Sequence, residues 1–152
     1  MMKLASILNV VPSLALAVAG LIHLLPVPGA LGGEAIARLY GIAVDDPNTA
    51  ILLQHRALLF GVLGVFMLSA IRWPPLRFAA LSVGLVSAAS FLAVALWVGG
   101  YNGAIARVVV ADIVASLFLV CGLAAHWRAM AKAKRSGLAT EREASDLRTP
   151  KF

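Results

Sequence analysis

Four stretches of this sequence, residues 4–25, 50–71, 78–98 and 105–127, are apolar over twenty residues or more and carry almost no charge. A helix of 22 residues rises about 33 Å, enough to cross a hydrocarbon layer of about 30 Å. Inside that layer every backbone N–H and C=O needs a partner from its own segment, so stretches of this length and composition predict helices. The expected fold is therefore all-α, an integral membrane four-helix bundle. Residues 1–127 form the transmembrane domain and residues 128–152 a basic and polar tail.

Composition agrees with this. Hydrophobic residues make up 61% of the 152-residue chain and charged residues only 13%, against about 25% charged in soluble domains. The net charge is +6. In a soluble protein such a surplus would point to nucleic acid, but here the basic residues lie beside apolar stretches and read as signals of membrane orientation, with no nucleic-acid partner expected. The single cysteine, Cys121, makes no internal disulfide and offers no paired redox or metal motif. The N-terminus, with Lys3, an apolar run and Ala17-Val18-Ala19, resembles a secretory signal. Its apolar run continues to Leu25, so it reads as the first crossing. On its helix Ser6, Asn9, Ser13, Gly20 and His23 share one face, a stripe suited to packing against other helices.

The connection between the first two spans is long and rich in Pro, Gly and aromatic residues. Glu34 to Tyr40 is expected to form a short interfacial helix ended by Gly41. Asp46 then serves as N-cap and Pro47 as first residue of the second span. On that span Gln54, Gly61 and Leu68 repeat every seven residues and mark a close-packing face, with Ala57 and Gly64 beside it. Arg72-Trp73-Pro74-Pro75 and Gly99-Gly100-Tyr101-Asn102 are turns. Four crossings put both termini on one side, together with Lys3, Arg72, Arg77, Arg128, Lys132, Lys134 and Arg135. The opposite side has only Arg38 and Arg107. The expected location is a bacterial inner membrane, with cytoplasmic termini and the long first loop outside.

Gln54-His55-Arg56 is the main anomaly within the spans. A guanidinium in hydrocarbon costs roughly 2.5–3.5 kcal/mol on insertion scales, so it needs a partner. Asp112 in the fourth span is the expected one, as an ion pair joining the two helices. Arg107 is a rival, but five residues of helix turn through about 500°, which puts Arg107 and Asp112 on different faces. The topology gathers a polar cluster at the outer end: His23, Gln54, His55, Arg56, Trp97, Tyr101, Asn102, Arg107 and Asp112. Such one-sidedness predicts an outward-facing polar pocket. No residue is assigned a catalytic role. His23 and His55 together raise haem or metal ligation, because imidazole suits both, but no ligand-spacing motif supports it. No phosphate-binding loop, dinucleotide fingerprint or nucleophile elbow is present.

The stretches Gly20-Leu-Ile-His23-Leu-Leu-Pro26, Leu53-Gln54-His55-Arg56-Ala57-Leu58-Leu59-Phe60-Gly61 and Arg107-Val-Val-Val-Ala-Asp112 resemble small bacterial four-helix membrane proteins of the DoxX-like type, over about residues 4–127. That resemblance implies membrane redox or quinone-linked partners. The sequence thus predicts an accessory or small-ligand-binding membrane protein in contact with lipids, and with a membrane complex or further copies of itself. The alternative is a redox or lipid- or quinone-modifying enzyme subunit using the His, Arg and Asp residues.

Overall fold

A computed structural model of the protein describes residues 2–146, and the side-chain surroundings of residues 10–137. The order is α1 (Met2–Leu24), a 3-10 turn (Val27–Leu31), α2 (Gly33–Tyr40), α3 (Pro47–Arg72), a 3-10 turn (Pro74–Leu76), α4 (Arg77–Val98) and α5 (Gly103–Asp146). Four of these helices are long and apolar enough to cross a membrane, and no strand occurs among the described residues. The all-α bundle expected from the sequence is the observed architecture.

The local signals behave as their chemistry dictates. Gly41 ends α2 with φ of 66°, and its N–H donates to the Ala37 carbonyl. Only glycine takes that left-handed conformation without a Cβ penalty. Asp46 caps α3: its carboxylate accepts from the Thr49 N–H at 2.7 Å and the Thr49 hydroxyl at 2.8 Å. The hydrogen bonds from Thr49 hold the Asp46 carboxyl below its usual range. A depressed carboxyl stabilises the fold above its unfolded value of about 3.9, and that contribution disappears as pH falls through the lower folded value. Asp46→Ala should therefore lower the melting temperature at pH 7, by a difference that closes as the pH is taken well below 3.9. A difference that persists in acid would remove the charged cap from the account.

The helices pack antiparallel around α1, which lies against α5 and α3, while α4 lies against α5. The core consists of Ala15, Leu16, Ala19, Met67, Ala70, Ala80, Leu81, Ala88, Ala115 and Leu119. Six of these ten are alanine, which lets backbones approach closely where lipid supplies no hydrophobic drive for helix association. Large apolar side chains such as Leu52, Val62, Val86 and Leu96 instead point outward, an arrangement suited to acyl chains rather than water.

Two features differ from the sequence expectation, and a third adds to it. The packing face of α1 is broader than the stripe of small and polar residues. It includes Pro12, Ala15, Leu16 and Ala19 beside Gly20 and His23, because α1 is central; the side chains of Ser6 and Asn9 lie outside the described residues. On α3 the buried positions are Ala57, Gly64, Met67 and Ala70, whereas Gln54, Gly61 and Leu68 are only half-buried. That face is rotated because Gly61 meets the connection, at Val27, rather than another span. Finally, α5 is 44 residues long and runs unbroken past residue 127. Arg128, Lys132, Lys134 and Arg135 are thus carried on a continuous helix; residues 147–152 lie outside the described residues.

Candidate functional site

A cavity of about 280 Å³ opens at the end of the bundle where α1 finishes, α2 crosses, and α5 begins. Its walls are mostly apolar: Ile22, Leu25, Pro26, Leu39, Phe60, Phe91, Val108 and Ala111. Its polar groups are His23, Tyr40, Arg56, Arg107 and Asp112. An apolar cavity with a few convergent polar groups is the usual form of a small-molecule site, although this one is at the small end of the range.

Arg56 is positioned by aromatic rings. Its guanidinium carbon lies 5.2 Å from the centroid of the Tyr40 ring and 5.4 Å from that of Phe60. Both distances are within the range of cation–π attraction. Phe60 is one helical turn beyond Arg56 and shares its face. Tyr40 arrives from α2 and is buried. The expected ion pair between Arg56 and Asp112 does not form. Among the described residues the one ion pair within 4.0 Å is Arg38 with Glu34 on exposed α2. Asp112 lines the same cavity as Arg56, but the guanidinium lies over two aromatic rings rather than against the carboxylate.

His23 is buried at 4% exposure and committed at both ring nitrogens. Its Nδ1 donates to the Ala19 carbonyl at 2.8 Å. Nε2 is then left to accept from the Ser87 hydroxyl at 3.1 Å, joining α1 to α4. The His23 and Phe60 rings meet in a T-shaped arrangement with centroids 5.7 Å apart. A haem or metal would need a free imidazole nitrogen, and neither is free. His55 is exposed and outside the cavity lining, one residue and about 100° round the helix from Arg56. The pair His23 and His55 therefore does not fit axial ligation, and the described residues contain no group of three or more metal-capable side chains.

The remaining expected site residues divide. Arg107 does line the cavity, at its exposed rim, together with Asp112. The turn of about 500° between them separates their faces as an ion pair would not allow, yet both residues border the same concave cavity. Gln54 is half-buried outside the lining; Trp97 is 91% exposed and Tyr101 41% exposed, both also outside it. Trp97 ends α4 on its outer surface, where an amphipathic ring suits a membrane boundary. Among the lining residues outside the expected cluster are three aromatics, Tyr40, Phe60 and Phe91. The spacing of Phe60 from Arg56 was a usable signal; for Phe91, on another helix, there was none.

Asn102 has a different role. Its Oδ1 accepts from the Ile105 N–H at 2.9 Å and caps α5. Its Nδ2 donates to the Tyr40 carbonyl at 2.9 Å and the Gly41 carbonyl at 3.3 Å. One amide thus starts α5 and fastens the end of α2 over the cavity. Asn102→Ala should cost about 1 kcal/mol through the lost cap and raise hydrogen exchange around Tyr40 and Gly41. Unchanged exchange there would mean that the backbone of α2 is held by packing alone. In comparisons with protein families, with curated proteins and with solved structures, nothing matches this chain.

Proposed function

We propose that the protein is a membrane-embedded binding module whose cavity receives a small amphipathic molecule at the outer boundary of a bacterial cytoplasmic membrane. The observation that carries this is Arg56: a guanidinium beside apolar walls, within cation–π range of two rings, with no carboxylate among the described residues within 4.0 Å. Its N–H groups are available to a ligand head group, and the walls suit an apolar body. Orientation follows from the basic residues. Arg72, Arg77, Arg128, Lys132, Lys134 and Arg135 gather at the Pro-Pro end of the bundle, opposite the cavity, and positive charge marks the cytoplasmic side. Surrounding lipids are the first partners. Kinship with DoxX-like proteins is proposed on the three sequence stretches alone, and the binding function does not depend on it.

The test is native extraction into nanodiscs, followed by mass spectrometry of the small molecules that accompany the protein. Ala111→Trp, at the cavity wall, serves as the filled control. A compound enriched with the wild type and depleted with Ala111→Trp is expected. Identical small-molecule content in the two would defeat the proposal.

A further inference from the structure

The cavity has an unbalanced charge. Two guanidinium groups, Arg56 and Arg107, line it, and Asp112 is its one carboxylate. Neither arginine forms an ion pair within 4.0 Å among the described residues. The Arg56 guanidinium carbon lies over the Tyr40 and Phe60 rings, and aromatic faces attract a cation without neutralising it. The guanidinium can therefore still meet an anion, and its fork of N–H donors matches the oxygens of a carboxylate or phosphate. Arg107 at the rim is reached by water, but the half-buried Arg56 guanidinium stands beside apolar walls, where a charge is costly unless it is compensated.

We infer that the cavity takes an amphiphile bearing one negative charge, its head group met by Arg56 and Arg107 and its chain by the apolar walls. This rests on the cavity's being a binding site, as proposed above, and adds the ligand's charge and shape. One monoanion makes the three ionic groups and the ligand neutral together. A cationic head would add to the surplus, and a neutral head would leave it uncompensated. Asp112 limits the site to a single negative charge, because a second would face its carboxylate. A small free anion shares the head-group chemistry but leaves the apolar walls unused.

The experiment is scintillation-proximity binding of radiolabelled dodecanoate to the full chain in phosphatidylcholine nanodiscs, with unlabelled dodecanoate, 1-dodecanol and acetate as competitors. Dodecanoate should compete about 10-fold better than 1-dodecanol, the usual scale for a charge-assisted hydrogen bond. It should compete at least about 100-fold better than acetate, given its buried methylenes. Arg56→Gln and Arg107→Gln should each weaken binding about 10-fold. Asp112→Asn, nearly isosteric and expected to fold, should tighten binding several-fold, which a merely structural carboxylate would not do.

Equal competition by 1-dodecanol, with no effect of Asp112→Asn, would overturn the inferred charge while leaving an amphiphile site intact. Acetate competing as well as dodecanoate would overturn the chain and leave a small free anion as the ligand. Dodecanoate binding equally to the wild type and to Ala111→Trp would overturn the inference and the cavity's binding role together.

Discussion

Gly64→Leu is expected to prevent α1 and α3 from closing on each other and to leave most of the protein unfolded in mild detergent. A Cβ at residue 64 would stand 2.9 Å from the Gly20 carbonyl oxygen and 2.9 Å from the Leu24 side chain. Leu24 has rotamers in which to move; the backbone of α1 does not. Overpacking a well-filled core costs about 1–3 kcal/mol when side chains can yield, and a clash with backbone belongs at or above that range. The consequence is severe in a membrane because hydrocarbon surrounds the helices whether or not they associate, so that close packing itself carries the interface.

Gly122→Leu should act similarly on the contact of α5 with α1 and α4, since its Cβ would meet Ala15 at 2.8 Å and Leu81 at 2.9 Å. Gly103→Ala is the control. Nothing lies within 4 Å of its Cβ position, so it should be neutral, or stabilising by roughly 0.4–1 kcal/mol through the unfolded chain. Circular dichroism during denaturant titration reads all three. Gly64→Leu melting like the wild type would contradict the α1–α3 crossing.

These contacts also indicate which parts of the fold the sequence could disclose. The four long helices were legible because lipid permits few alternatives for apolar stretches of this length. The end of α2 at Gly41 and the start of α3 at Asp46 and Pro47 were legible because they depend on chemistry within a few residues. The rotation of α3 was not. Periodicity says that a face exists, but whether Gln54 or Ala57 lies at its centre depends on α1 and the connection, distant in sequence. The same division holds at the site. Charge inside apolar runs singled out Arg56, Arg107 and Asp112, and the topology brought His23 to the same end. The assumption that opposite charges must touch then failed, because Tyr40 and Phe60 offered the guanidinium aromatic faces first. His55, Trp97 and Tyr101 share the bundle end but not the cavity, since polarity at a given depth does not fix direction around a helix. Asn102 was selected as a polar group near a site; its role is to join two backbones.

Tyr40→Ala is the other substitution with a large expected effect, and it acts on the cavity without dismantling the bundle. The Tyr40 side chain is buried at 6% exposure, and its ring lies against Arg56. Removing a large buried aromatic side chain costs about 3–5 kcal/mol in a packed core. Here the loss falls mainly on α2, an eight-residue helix joined to the bundle through the 3-10 turn, through Ala35, Ile36 and Tyr40, and through Asn102. A helix that short is not stable alone, so the connection should open locally while α1, α3, α4 and α5 keep their mutual contacts. Amide hydrogen exchange over residues 33–41 should accelerate by about 100-fold or more, with little change in the four spans. Arg56 would lose one of its two ring partners, so binding at the cavity should weaken in the same variant. Tyr40→Phe, which keeps the ring and discards the hydroxyl, should behave as the wild type in both measurements. If Tyr40→Ala instead melted all four long helices together, α2 would be an integral part of the bundle rather than a cover over its open end. If exchange in α2 did not change, the ring would not be what fastens that cover.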